Sequence, residues 1–340
     1  MLLAGGSEPE VVEAERPVVT GGGPVVSREE AGALVWARLG AMDESWARAG
    51  ALPAMSQWWA ETVREWMLGG KAGAVVRAGR RGGKSTTGCK VAVIETIAAP
   101  HVVPRADLGM FGIVSALRAD ALERIRTCGV LLQASGYTET RWKDGGVKRG
   151  DFVTRLGGNP EVYVGTEFGT RVIRVMTASV AGVSGPTCIG LLGDEVAKWR
   201  DEDTGVNPAK EVIASVRPTM ATQPLARQMW ISSPWSTLDA HHAMFEAGNT
   251  PGQMVAYAPT WVSNPTLAAC PVCGCVAGKS CEHDMSAERQ AAGEAATRLL
   301  EPDESIWERE YKAIPMSAAS SVFFDPVAVD AAMREVQNVG

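Results

Sequence analysis

The feature that most constrains this chain is a short apolar run, Ala74-Val75-Val76, which leads into Gly79-Arg80-Arg81-Gly82-Gly83-Lys84-Ser85 and then into a helix-like stretch from Thr86 to Ala98. The order is strand, tight loop, helix. A strand that stops in a glycine-rich turn and hands over to a helix gathers backbone N–H groups and the positive end of the helix at one spot, which is how proteins hold phosphates. In that arrangement Lys84 reaches the β- and γ-phosphates and Ser85 coordinates Mg²⁺, with Gly79, Arg81, Gly82, Gly83 and Thr86 lining the nucleotide. The loop departs from the pattern G-x-x-x-x-G-K-[ST] at its first position, where Ala78 stands and Gly79 follows.

A second element supplies what the first lacks. Cys188-Ile189-Gly190-Leu191-Leu192 is apolar throughout, as a parallel strand covered on both faces must be. Asp194 and Glu195 follow at its C-terminal end, where open α/β sheets bind ligands. Asp194 can hold the magnesium through water, and Glu195 can act on the attacking water as general base. The two elements in this order predict an enzyme that hydrolyses ATP rather than one that only binds it. Arg80, four residues before Lys84, can neutralise charge developing on the γ-phosphate, an effect of about 10³–10⁵ in rate when such a group is well placed. Arg81 is expected to contact a phosphate backbone or solvent.

Composition narrows the alternatives. The 340 residues suffice for one large α/β domain or two modest ones, and 46% hydrophobic content is that of a globular protein with a sizeable core. The net charge of −6 gives no global basic field, so any DNA contact must come from local patches or from partners. No apolar stretch reaches the roughly 18 residues needed to span a bilayer, and the first residues lack the basic start and apolar length of a signal peptide. An intracellular protein is expected, in agreement with Cys89, Cys128 and Cys188, which are scattered singly as reduced core thiols.

Along the chain, residues 1–28 are expected as a loose tail. Ser27 and the acids that follow mark a helix N-terminus, and Val35, Leu39 and Met42 recur on one face of a helix to about Arg48. Ser56 to Leu68 is a second helix with Trp58, Trp59 and Trp66 as core residues; Gln57 on it can pair with an adenine edge. Gly109–Val114 predicts a strand and Ala116–Ala134 a helix bearing Arg118, Arg124 and Arg126. Val162–Thr166 and Val172–Thr177 predict a hairpin around Gly169. A polar loop at Asp201–Gly205, a helix from Pro208 to Val216 and a strand Gln228–Ile231 follow. That strand ends in Ser232-Ser233-Pro234, whose hydroxyls can sense the γ-phosphate and pass its loss onward. His241-His242 fits a solvated helix face. Helices are expected from Met285 to Leu300 and from Asp303 to Ile314, the latter with Ile306, Trp307 and Tyr311 on one face.

The order of Gln57, the loop at Arg80–Ser85, Ala181–Thr187, the strand to Asp194-Glu195, Ser215–Thr219 and Ile231–Pro234 closely resembles the ATPase domain of the large terminase subunit of tailed double-stranded DNA bacteriophages, over roughly residues 50–325. The resemblance implies an α/β P-loop NTPase of the RecA/ASCE type: a doubly wound, mainly parallel sheet with flanking helices, spanning residues 29–325. It implies a motor that hydrolyses ATP to drive double-stranded DNA into a procapsid, in the cytoplasm of the bacterial host. Lys84, Ser85, Asp194 and Glu195 would take the family's ATPase roles, Arg80 that of its loop arginine, and Ser232-Ser233-Pro234 that of its coupling motif. The implied partners are the DNA, the portal protein, the small terminase subunit and further copies in a ring on the procapsid, the isolated domain being expected as a slow monomer. The 285–314 helices would form a lid. Two departures stand out. Ala181 replaces an arginine that can reach a neighbouring subunit's site, leaving Arg118, Arg174 and Arg217 as candidates. The family's C-terminal nuclease would begin beyond Val322–Pro326, and residues 326–340 are too few to form it, so no nuclease activity is expected. A helicase-like or other remodelling ATPase, and a zinc-stabilised interaction module with an inactive loop, are the alternatives.

A separate signal is Cys270-Pro271-Val272-Cys273-Gly274-Cys275 followed by Cys281-Glu282-His283. A C-x-x-C knuckle plus a C-x-H gives four ligands for one tetrahedral zinc, structural rather than catalytic because no position stays open. The expected set is Cys270, Cys273, Cys281 and His283 in an insertion at about 268–284, with Cys275 as the alternative to His283.

Overall fold

Nine strands form one sheet in the order β3-β4-β5-β6-β2-β7-β8-β1-β9. The computed structural model describes residues 26–104, 107–142, 146–178, 187–199 and 208–317, apart from the side chains of Arg118 and Ala121. The strands are β1 (Gly73–Ala78), β2 (Gly109–Ser115), β3 (Thr138–Glu139), β4 (Asp151–Arg155), β5 (Glu161–Thr166), β6 (Gly169–Thr177), β7 (Cys188–Asp194), β8 (Arg227–Ser232) and β9 (Gln253–Ala258). From β6 through β9 every pairing is parallel; only β4–β5 and β5–β6 are antiparallel. Strands β1, β2 and β7 are buried along their whole length, which accounts for their mostly apolar sequences, Arg77 in β1 being buried among them.

Helices cover both faces. On one side lie α1 (Arg28–Arg48), α2 (Gln57–Leu68), α3 (Lys84–Ala98) and α4 (Arg118–Ala134), packing Val35, Trp46, Trp59, Trp66 and Ile125 against Val76, Ile113 and Leu192. On the other, α5 (Ala209–Val216) and α6 (Ala240–Glu246) lie with Trp199, Val212 and Trp230 against Val75, Val114 and Leu191. Val75 and Val76 fall in opposite layers because successive strand side chains point to opposite faces. Ser27 and Glu30 close the two reciprocal bonds of a capping box at the start of α1, and Ser56 caps α2.

The phosphate-loop helix α3 is fixed at its far end. The buried guanidinium of Arg171 on β6 donates to the carbonyls of Thr96, Ala99 and His101 at 2.8–3.0 Å, satisfying a helix terminus that would otherwise present orphan acceptors. Glu95 on α3 pairs with Arg227 of β8 at 3.1 Å. At its near end Gly88 packs on Leu192 of β7, so closely that a Cβ would stand 2.6 Å from a leucine methyl.

Several expectations shift. The last helix, α9 (Glu304–Glu310), follows α7 (Thr260–Ser263) and α8 (Ala287–Leu300) and stops short of Ile314, because Ala313 takes a left-handed φ of 60° that turns the chain. His241 is not solvated: it is fully buried beneath β8, with Nε2 3.3 Å from the carbonyl of Trp230, while His242 is half-buried against Arg77. The expected tail up to residue 25, the motif at 181–186, the polar loop at 201–205 and residues 318–340, with Val322–Pro326, lie outside the described residues.

Candidate active site

Three adjacent parallel strands, β7, β8 and β1, end at one edge of the sheet, and their last residues carry the chemistry. Asp194 is in register with Ile231, which is in register with Val76. The residues at or just past each strand's end, Glu195, Ser232-Ser233 and Gly79–Lys84, therefore meet although they are far apart in sequence.

The loop is built locally by its glycines. Ala78 closes β1 as an ordinary extended, buried residue, so the missing first glycine of the motif costs nothing here. Gly83 takes φ 79°, which only glycine adopts without strain, and Arg81 takes φ 62° despite its side chain. Among the described residues, the backbone N–H groups of Arg81, Gly83, Lys84, Ser85 and Thr86 have no acceptor, so five donors are left unpaired around the start of α3. Arg80 and Arg81 point to solvent, Arg80 lying 3.7 Å from Glu310.

Lys84 is buried at the centre. Its Nζ donates to the carbonyls of Ala78 and Gly79 at 3.2 and 2.9 Å and to Ser233 Oγ at 2.8 Å, and lies 3.3 Å from Glu195 Oε1. Burial lowers its pKa, while Glu195 opposes the shift. Glu195 has a left-handed φ of 54°, which turns its carboxylate back over the loop. It accepts from the Ser233 N–H at 3.1 Å and faces Lys198 at 3.5 Å. Burial would raise its pKa, but Lys84 and Lys198 outweigh burial and bring it down to about 2, so it is ionised at neutral pH.

Asp194 accepts from Ser85 Oγ at 3.0 Å and from Arg124 Nε at 2.7 Å. Burial raises its pKa and Arg124 opposes that rise. Ser85 and Asp194 thus offer a hydroxyl and a carboxylate to one point, a donor set that suits a hard cation such as Mg²⁺. Gln57 is exposed at the first turn of α2 and bonded to Glu61, two residues from Trp59, whose Nε1 donates to the Gly82 carbonyl at 2.5 Å.

Sequence patterns gave no signal for Arg124 as the partner of Asp194, for Trp59 as a loop contact, or for Glu310. The Glu310 carbonyl accepts from the Arg80 N–H at 2.5 Å, and its carboxylate lies 3.6 Å from Lys198. Arg174 is paired with Glu161 at 2.6 Å on the antiparallel side of the sheet, and Arg217 sits in a 3₁₀ turn after α5.

A second cluster gathers at Cys270, Cys273, Cys275 and Cys281, whose sulfurs all lie within 4.8 Å of one another. Such a four-thiol cluster could bind zinc. His283 is not in it; its Nε2 lies 3.9 Å from Glu282. Gly274, at φ 72°, turns the chain so that the Cys270 N–H bonds the Cys275 carbonyl at 2.8 Å, and this brings Cys275 into the fourth place. All seven cysteines are free thiols. Among the described residues, no helix is long and apolar enough to cross a membrane.

No family model matches the chain, and no curated protein does. Among solved structures, the large terminase of bacteriophage HK97 is similar over 82% of this chain and 54% of its own, at 13% identity and a TM-score of 0.51. The large terminase ATPase domain of Thermus phage P74-26 matches over 76% of this chain and 92% of its own, at 16% identity and a TM-score of 0.48. The large terminase of another thermophilic bacteriophage, in complex with ADP, matches over 76% and 53%, at 11% identity and 0.48. The chain spans about half the length of the HK97 protein. The likeness to that protein shows the fold: a mixed α/β domain with a mostly parallel nine-stranded sheet, similar in fold to the HK97 large terminase.

Proposed function

We propose that this chain is an ATP-hydrolysing motor domain that drives double-stranded DNA into a viral procapsid. The observation that carries the proposal is the convergence of Lys84, Ser85, Asp194 and Glu195 at the ends of three neighbouring strands, beside a loop whose N–H donors are left unpaired among the described residues. The fold shared with the HK97 large terminase supports the packaging role. On this proposal the partners are the DNA, a portal protein, a small terminase subunit and further copies of the chain.

The residues divide the work. Backbone N–H groups from Arg81 to Thr86 bind the phosphates, and Lys84 exchanges its carbonyl and Glu195 contacts for phosphate oxygens. Ser85 and Asp194 would hold a magnesium ion, which supplies neutralisation of the phosphate charge. Once Lys84 turns to the phosphates, Glu195 loses the nearer of the two cations that hold its pKa low, and the carboxylate becomes a stronger base when substrate is present. Glu195 takes a proton from the attacking water, whose oxygen bonds to the γ-phosphorus as the bond to the ADP oxygen breaks. Ser233, which touches both Lys84 and Glu195, senses the change and passes it along β8.

Glu195→Gln tests the proposal. The variant is expected to bind ATP and to hydrolyse it about 10²–10⁴ times more slowly, the range of a lost general base. Equal turnover in both proteins removes Glu195 from the chemistry.

A further inference from the structure

The cysteine cluster is tied to the phosphate loop by an unbroken path. The Gly278 N–H, inside the knuckle, donates to the Thr266 carbonyl at 2.7 Å. Thr266 Oγ1 donates to Asn264 Oδ1 at 2.8 Å, and Asn264 Nδ2 donates to the carbonyl of Arg81 at 2.9 Å. Arg81 is the loop's non-glycine residue with a left-handed φ, a conformation that persists only where its surroundings hold it. A second path starts from Arg289, a fully buried arginine on α8. Its Nη1 lies 3.6 Å from Cys275 Sγ, and its Nη2 donates to the Lys279 carbonyl at 2.9 Å. One turn on, Gly293 packs on Trp261 of α7, where Thr260 Oγ1 donates to the carbonyl of Arg80 at 2.8 Å. The fit against the loop leaves no slack: a Cβ on Gly79 would stand 2.1 Å from Thr260 Oγ1, and one on Gly82 2.4 Å from Ser263 Oγ.

We propose that Cys270, Cys273, Cys275 and Cys281 hold a structural zinc ion and that this metal knuckle braces the phosphate loop through Thr266–Asn264 and Arg289–Thr260. Four sulfurs around a zinc at about 2.3 Å stand about 3.8 Å apart, inside the spread observed. Four thiolates leave the site with a net negative charge, which Arg289 faces from the outer shell. Cys281 Sγ lies 3.6 Å from Asp284, which also faces Arg289 at 3.4 Å; metal binding takes the thiol proton to solvent and leaves Asp284 with its arginine. The Arg80 and Arg81 carbonyls are the acceptors the brace engages, which leaves their loop's unpaired N–H groups free for other partners. The consequence for nucleotide binding rests on the ATPase proposal; the brace itself does not.

The test combines metal analysis with amide exchange on the whole chain. Protein purified without chelators is expected to carry about one zinc per chain. Stripping the metal is expected to raise exchange at Arg80 and Gly82 and at Thr260 and Asn264, whose N–H groups are bonded, by about tenfold, the scale of one lost hydrogen bond, while β2 and α4 stay protected; adding zinc restores the loop. Thr266→Val breaks the path without touching a thiol, and it is expected to keep the zinc and still raise exchange at Gly82, whose N–H bonds the Gly79 carbonyl. Protein with no bound metal overturns the site, and unchanged loop exchange after stripping or in Thr266→Val overturns the brace. A zinc-dependent loop in a chain that never turns over ATP would sink the ATPase proposal and leave the brace standing.

Discussion

The phosphate loop is held from two sides by different means. Toward the sheet it is held by charge: Lys84, Glu195, Asp194 and Arg124 form ion pairs at 2.7–3.3 Å at the ends of β1, β7 and β8. Away from the sheet it is held by neutral contacts: Trp59, Thr260 and Asn264 bond the carbonyls of Gly82, Arg80 and Arg81 at 2.5–2.9 Å. The charged side carries the groups that can act on a phosphate. The neutral side carries none, and sets only the shape of the turn. Losing a buried charge leaves its partner uncompensated, whereas losing one neutral hydrogen bond costs far less.

That contrast can be broken by experiment. The largest effect is expected from Arg124→Ala, which leaves the carboxylate of Asp194, 2% exposed, without its cation. Unfolding in urea should show a loss of about 3–5 kcal/mol; a loss below about 1 kcal/mol would mean Asp194 does not depend on Arg124. Lys84→Ala comes next. Titration with a fluorescent ATP analogue should show affinity falling by about 10–150-fold, the range for charged hydrogen bonds, and unaltered affinity would take Lys84 out of the phosphate site.

Acid should then weaken the fold in a defined window. Burial holds the His241 pKa at about 4 against 6.5 for the free side chain. The unfolded chain therefore takes up a proton first as pH falls, and the stability from this residue, full above 6.5, is lost between 6.5 and 4. Melting temperatures of wild type and His241→Gln, compared across pH, should converge on the acid side of that window; a constant gap would show that His241 does not titrate there. The smallest effect belongs to Asn264→Ala, at about 1 kcal/mol of stability with Glu195 chemistry intact. If it abolished turnover as fully as Glu195→Gln, the division between charged and neutral sides would fall.

What the sequence made legible follows the same division. Apolar runs ending in Gly-Lys-Ser and Asp-Glu stand out because buried parallel strands need unbroken hydrophobic sequence and the chemistry must follow them. The strands β7 and β1 were thus readable, but not that β8 lies between them, since strand order is a tertiary fact. Strand β9 went unseen: Gln253–Ala258 is a partly exposed edge with no alternation. Arg124 was visible as one of three arginines on a helix, and only packing selected it. Trp59 read as core, which it is, while its indole N–H also reaches the loop. His241 was misplaced because a histidine pair gives no periodic signal. In the knuckle, spacing alone favoured His283 for the fourth place, and the turn at Gly274 delivered Cys275 instead.

The most direct test of the central claim is a crystal structure with Mg²⁺ and a non-hydrolysable ATP analogue. The γ-phosphate is expected within hydrogen-bonding reach of Lys84 Nζ, and the metal against Ser85 Oγ on the Asp194 side, with Lys84 released from Glu195. Nucleotide bound elsewhere, or bound here with Lys84 still paired to Glu195, would contradict that claim.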